Sequence, residues 1–297
     1  MYRNPIAVFD SGLGGLTVIR QLLRHLPGES IVYFGDTARV PYGIKSAETV
    51  TRFAEEDIEF LQSFNPKLII AACNTVSAAA LPRLKGRYTV PICGVLEPGA
   101  KAALAKTRNG RVGVIGTEAT ISSNAYTRCL AALDRGIKVF ANACPLLVPM
   151  VEEGRMAKDR LVLMALNEYL RPLREAGIDT LVLGCTHYPL LKPGIREVMG
   201  SRVQIVDSAK ETAREAAEIL AREGASSPPL PPLARPAAHR FFASDNPERF
   251  AWLSKRFLGR VVESVGLVQP ELLNGRCKLK AVTVRHLEAV SLALPSV

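Results

Sequence analysis

The chain has 297 residues, 48% of them hydrophobic and 22% charged, which excludes an intrinsically disordered protein and allows a large core in two domains. Lys and Arg number 38 against 28 Asp and Glu, giving a net charge of +10, and half of that excess lies in Arg235–Val297, with ten basic and five acidic residues. This tail has no basic run and little interleaved aromatic content, so a nucleic-acid partner is not expected; an anionic substrate, or nothing more than solubility, suits the charge better.

Met1-Tyr2-Arg3-Asn4-Pro5 runs straight into a strand-like segment. No charged and apolar leader precedes it, and no apolar run approaches membrane-spanning length, so a cytoplasmic protein that does not enter a membrane is expected. Ile6–Phe9 reads as a buried strand, and Asp10-Ser11-Gly12-Leu13-Gly14-Gly15 as the turn after it. A helix follows with Leu16, Ile19, Leu22, Leu23 and Leu26 on one face, ended by Pro27-Gly28. Ile31–Phe34 is a second strand, leading into a loop that contains Pro41-Tyr42-Gly43. Ser46 can cap a long helix whose core face carries Val50, Phe53, Asp57, Ile58, Leu61 and Phe64. The apolar run Leu68–Ala72 then ends in Cys73-Asn74-Thr75.

Val112–Ile115 opens a second cycle of the same form, with the turn Gly116–Thr120 and a helix over Ser122–Leu133. Lys138–Ala141 is a strand, Asn142–Gly154 a loop, and Asp159–Ala176 a helix with Gly177 at its C′ position. The apolar run Thr180–Gly184 ends in Cys185-Thr186-His187. Val203–Asp207 is a further strand, and Ser208 through Glu211 reads as a capping box for a helix to Arg222. Gly224–Arg240, with Pro228, Pro229, Pro231, Pro232 and Pro236, reads as a loop or semi-rigid linker. Arg240–Ala243 reads as a strand and Pro247–Leu258 as a helix; the rest has no clear pattern.

The two cycles look like an internal duplication. The expected fold is therefore α/β, with two similar domains on parallel sheets related by a pseudo-twofold axis. Residues 1–97 plus 208–297 would form the first domain and 98–207 the second, with the site in the cleft between them. Open α/β sheets bind ligands at the carboxyl ends of their strands, which is where Asp10, Cys73 and Cys185 fall.

The six cysteines, at 73, 93, 129, 144, 185 and 277, form no C-x-x-C pair. Cys185 and His187 are too close in sequence to span a helical face, so no metal site is expected. One cysteine at a strand end is ordinarily a small buried hydrophobe. Two in matching places of duplicated halves suggest thiols on opposite sides of one cleft, one removing a proton and the other donating from the opposite face. A thiol near ~8.5, lowered by a helix N-terminus, can act as base or acid. Asn74, Thr75, Thr186 and His187 offer donors for carboxylates. The Asp10–Gly15 turn lacks the third glycine of a dinucleotide motif, because Thr17 stands there. It offers backbone N–H groups for a carboxylate, with Asp10 as acid, base or ammonium partner; the bland alternative is a glycine-rich turn with a capping Asp. Glu152-Glu153 sits in the loop corresponding to Val40–Gly43 and could adjust a thiol's proton affinity, or simply be exposed charge.

Phe9-Asp10-Ser11-Gly12-Leu13-Gly14-Gly15-Leu16, Pro41-Tyr42-Gly43-Ile44-Lys45-Ser46, Ala72-Cys73-Asn74-Thr75, Gly184-Cys185-Thr186-His187-Tyr188-Pro189 and Ser244-Asp245-Asn246-Pro247-Glu248-Arg249-Phe250 resemble the signatures of the bacterial glutamate racemases, in the aspartate/glutamate racemase family. The resemblance covers nearly the whole chain; the Pro-rich segment and the end beyond Gly259 match nothing in it. It implies a homodimer of two Rossmann-like α/β domains and a cofactor-independent, two-base interconversion of L- and D-glutamate that supplies peptidoglycan synthesis. Cys73 would deprotonate D-glutamate and Cys185 L-glutamate. Asp10, His187 and Glu152 would assist. Asp10, Ser11, Pro41, Tyr42, Gly43, Asn74, Thr75, Thr117, Thr120, Thr186 and His187 would bind substrate. The chain has no long N-terminal extension of the kind some members use for activator control, so that regulation is not expected.

Other readings compete. A racemase for aspartate or another amino acid differs by as little as one methylene of substrate, which a pocket discriminates by only about 1–3 kcal/mol. A thiol hydrolase using Cys185 and His187 would tolerate loss of Cys73. A nucleic-acid binder would show steeply salt-dependent affinity.

Overall fold

The computed structural model describes residues 4–227, 237–273 and 276–286. It contains two sheets. The strands are β1 (Ile6–Asp10), β2 (Ile31–Gly35), β3 (Leu68–Ala71), β4 (Ile92–Gly94), β5 (Arg111–Gly116), β6 (Lys138–Ala143), β7 (Thr180–Gly184), β8 (Gln204–Asp207), β9 (His239–Ala243), β10 (Ser264–Leu273) and β11 (Arg276–His286). The first sheet runs β11-β10-β9-β2-β1-β3-β4 and the second β6-β5-β7-β8. The order β2-β1-β3-β4 is repeated as β6-β5-β7-β8, strand for strand, and every pairing within these two sets is parallel.

The central strands are apolar on both faces because helices cover both. In the first sheet Ile6, Val8, Ile31, Leu68 and Ile70 pack with Leu16, Ile19, Ala213 and Leu220. The alternate residues Ala7, Phe9, Val32, Phe34 and Ile69 pack with Val50, Ala54, Ile58 and Leu61. The second sheet repeats this arrangement, with Ile115, Leu181 and Leu183 toward Leu166, Leu170 and Leu173, and Val112, Val114 and Val182 toward Ala100, Tyr126 and Leu130. Each Val, Leu, Ile or Phe among them removed from water contributes roughly 1.5–3 kcal/mol. The Leu16–His25 side of the first sheet and the Arg160–Glu175 side of the second share one continuous core.

After β8 the chain crosses back. The helix Ser208–Arg222 packs in the core beside the helix Leu16–His25, and β9 pairs parallel with β2. β10 joins β9 in parallel, and β11 closes the edge antiparallel to β10, so the first sheet is parallel only as far as β10.

Several local expectations change. The cap of the Ser208–Arg222 helix is Asp207, whose carboxylate accepts from the Ala209 N–H at 3.0 Å. The expected capping serine instead donates to the Leu183 carbonyl at 3.3 Å. The helix expected from Ser122 divides at Asn124, which takes a left-handed backbone at φ 53, and its long part is Ala125–Leu133. The expected loop after β6 contains a short helix, Leu147–Glu152. Ser46 does cap Ala47–Gln62, accepting from Thr49 N–H at 3.3 Å, and Gly177 does follow its helix at φ 65. The prolines at 228, 229, 231, 232 and 236 lie outside the described residues, as do residues 1–3. Among the described residues no helix is long and apolar enough to cross a membrane.

Candidate active site

Cys73 and Cys185 each follow the third strand of their set, at its carboxyl end. Cys73 stands at the start of a short helix, Asn74–Ala79. Cys185 leads instead into a turn and a 3-10 segment, Tyr188–Leu191, so it does not sit directly on a helix terminus. Both are buried, and both line one cavity of about 270 Å³ between the two sheets. Ser11, Pro41, Tyr42, Gly43, Asn74, Thr75, Thr117, Glu152, Thr186 and His187 line it as well. Asp10 and Thr120 do not. Asp10 is fully buried, with Oδ2 accepting from the Gly12 N–H at 3.2 Å. The Thr120 hydroxyl lies 3.3 Å from that of Thr75 and 3.0 Å from that of Thr117.

Glycines let the two units meet. A Cβ on Gly14 would stand 2.0 Å from Thr186 Oγ1 and 2.6 Å from His187 Nδ1; one on Gly43 would stand 2.6 Å from Thr117 Cβ. The glycine-rich turn after β1 therefore serves close backbone approach to the Cys185 segment. Thr17, where a dinucleotide motif needs glycine, donates to the carbonyls of Gly14 at 2.8 Å and Thr186 at 3.1 Å. Thr75 and Thr117 bridge the same seam, with hydroxyls 3.0 Å apart. Asn74 Oδ1 accepts from the Tyr126 hydroxyl at 2.8 Å, while its buried Nδ2 has no partner among the described residues. That is an amide donor available to a carboxylate in the cavity it lines.

The two sulfurs have different surroundings. The Cys73 thiol lies 3.7 Å from Ser11 Oγ. Burial pushes it up to about 12, the charges of Asp10 and Cys185 push the same way, and the Val76 N–H and Ser11 hydroxyl oppose. The expected lowering by a helix terminus is outweighed: such a terminus supplies about 0.3–1 kcal/mol, against roughly 4 kcal/mol for a rise of that size. Cys185 Sγ lies 3.9 Å from His187 Nδ1, and His187 Nε2 lies 2.9 Å from Glu152 Oε1. Burial alone would lower His187. Its hydrogen bonds to Cys185 and Glu152 prevail and hold it at about 10, so the ring is a cation at neutral pH. Burial likewise opposes the Glu152 carboxylate, and the bond to His187 brings it below its ordinary value. Asp10 is pushed up by burial, with the charge of His187 opposing. The Phe257 ring packs at 82° to the His187 ring, centroids 5.2 Å apart.

The expected pair Glu152-Glu153 is thus divided. Glu152 faces His187, whereas Glu153 is exposed and pairs with Arg155. Sequence reasoning missed Val40, Ile44, Glu118, Pro145, Val148 and Pro149 on the cavity wall. The last three are the second unit's counterpart of the Val40–Gly43 loop, and the duplication was the signal that could have found them. Among the described residues no group of three or more His, Cys, Asp or Glu could hold a metal ion.

Fold and site together define a duplicated α/β protein that presents one thiol from each unit to a single small-ligand cavity. Residues 10–216 match the model of the Asp/Glu/Hydantoin racemase family. The chain is 52% identical to a glutamate racemase of Geobacter metallireducens over 86% of its own length and 93% of the relative's. Its structure is similar to that of a glutamate racemase isoform from Bacillus anthracis, with a TM-score of 0.85 and 42% identity, covering 91% of this chain and 98% of that one. It is also similar to a Francisella tularensis glutamate racemase in complex with D-glutamate, with a TM-score of 0.82 and 35% identity, covering 90% and 98%. The chain belongs to the aspartate/glutamate racemase family, among its glutamate racemases.

Proposed function

We propose that the protein interconverts L- and D-glutamate without a cofactor, by a two-base mechanism, and so supplies D-glutamate for peptidoglycan. The observation that carries this reading is the placement of Cys73 and Cys185, from equivalent positions of two repeated units, on the wall of one cavity. A carbon held between them can lose its proton to one sulfur and gain one from the other.

In the L-to-D direction Cys185, with the His187 cation beside it, takes the Cα proton. The thiol of Cys73, held as an acid by its burial, gives its proton to the opposite face. One C–H and one S–H bond break, and one of each forms. The enzyme is left with its proton on the other sulfur, ready for the reverse direction, in which Cys73 deprotonates D-glutamate. Glu152 holds His187, and Asp10 acts from behind the cavity wall. The free amide donor of Asn74, the hydroxyls of Ser11, Thr75, Thr117 and Thr186, and the Pro41–Gly43 backbone suit the two carboxylates, with Thr120 steadying Thr75 and Thr117. The working form is a cytoplasmic homodimer, each chain divided into 1–97 plus 208–297 and 98–207.

The test is L-glutamate in heavy water with no additive. Optical activity should vanish while the D product acquires one deuterium at Cα, and early recovered L-glutamate should remain largely protiated. Aspartate turning over faster than glutamate would move the reading to another substrate. Deuterium entering the unreacted substrate as fast as the product would point to a single base.

A further inference from the structure

Asp57 lies on the core face of the Ala47–Gln62 helix and is fully buried. A carboxylate in that place is costly unless it is paired, so its partners indicate its use. Arg39 Nη2 donates to its Oδ1 at 3.1 Å, and the Tyr42 hydroxyl lies 3.3 Å from its Oδ2. The same hydroxyl donates to Asp36 Oδ2, which also accepts from Arg39 Nε at 2.5 Å. Arg39 pairs with Glu56 as well, and its guanidinium stacks 4.0 Å over Phe53, which packs on the Tyr42 ring. Asp36 Oδ1 accepts from Ser244 Oγ at 2.8 Å, and Ser244 Oγ accepts from the Ala38 N–H at 2.8 Å. Thr37 and Asp245 close a reciprocal pair at 2.6 and 2.9 Å. The Ser244-Asp245 motif, which contributes nothing to the cavity wall, is thus fastened to the loop after β2.

That loop matters because five consecutive residues of it, Val40–Ile44, line the cavity, and Gly43 abuts Thr117 of the other unit. Tyr42 belongs to both places: it lines the cavity, and its hydroxyl is bonded into the buried cluster. We propose that Asp36, Arg39, Asp57 and Ser244 form a positioning device that holds Tyr42, and through it the Val40–Ile44 wall, in place against the substrate. This rests on the cavity being the glutamate site. None of the four lines the cavity, so they act through Tyr42. The sulfurs are carried by β3 and β7 and not by this loop. Loosening the device therefore weakens substrate binding and leaves the acid–base geometry intact.

The test is steady-state racemisation of glutamate, followed by circular dichroism, for wild type, Tyr42→Phe, Asp57→Asn and the double variant, with Ser244→Ala alongside. Each of the first two should raise KM roughly tenfold with kcat within about twofold, as expected when ground-state and transition-state binding are lost equally. The double variant should fall short of the product of the two single effects, because both loosen the same cluster around the Tyr42 hydroxyl. Ser244→Ala should raise KM in the same direction by less. A Tyr42→Phe enzyme with wild-type KM overturns the proposal, as do single effects that multiply in the double variant. If Asp57→Asn does not fold, Tyr42→Phe and Ser244→Ala decide the matter alone. A wild-type enzyme inert toward glutamate would instead defeat the functional reading beneath it.

Discussion

Nε2 of His187 and Oε1 of Glu152 lie 2.9 Å apart, although 35 residues separate them in the chain. The bond leaves Nδ1 of the same ring facing the Cys185 sulfur at 3.9 Å. Replacing Glu152 by Gln removes a negative partner that helps to keep His187 at about 10. The basic limb of the pH profile of kcat/KM should then move from near pH 10 toward the ordinary imidazole value of 6.5. A limb that stays in place would show that His187 does not need Glu152.

The same pair sets a pH dependence of stability. His187 is raised on folding, so its contribution is complete below about 6.5 and is lost as pH climbs through about 10. Glu152 is lowered from 4.5, so its contribution is present above that value and is lost as pH falls below it. Wild type should therefore exceed His187→Gln in Tm most clearly between about pH 5 and 6.5, with the gap narrowing steadily to pH 10. Thermal melts across that range check it; a gap that widens with pH would reverse the sign.

Serine in place of either Cys73 or Cys185 keeps the shape and removes the acidity. Each variant should lose about 10²–10⁴ in kcat, the usual worth of a positioned proton-transfer group, while its Tm stays close to wild type. An active Cys73→Ser enzyme would return the single-cysteine scheme to consideration.

Gly14→Ala places a methyl where Thr186 Oγ1 stands 2.0 Å away. The seam must shift, at a cost of roughly 1–3 kcal/mol as in other overpacked sites, and His187 must move with it. Denaturant unfolding should report the first and a fall in kcat the second. Gly86→Ala is the control, because no heavy atom lies within 4 Å of its added carbon, although its φ of 83 carries a backbone cost.

The apolar runs of β1, β2, β3, β5 and β7 were legible because a strand covered on both faces leaves an unbroken hydrophobic signature. The two thiols were legible because the repeat placed them in register. Other features had no local mark. β4 is only Ile92–Gly94, too short for any period to show. Glu152 and Glu153 are identical neighbours, told apart only by which one meets a histidine brought in from β7. Phe257 looks like any core phenylalanine on its helix until the fold sets it against His187. The proton affinity of Cys73 departs from the sequence expectation for a physical reason: a helix terminus can be inferred from sequence, but the burial that outweighs it belongs to the assembled cavity.

Gly14 against Thr186, and Gly43 against Thr117, tie the wall of the cavity to contacts between the two sheets. The shape of the cavity is therefore set jointly by both halves: a side chain added at either glycine would alter the space around a ligand and the joint between the sheets together, so neither can be tuned without the other.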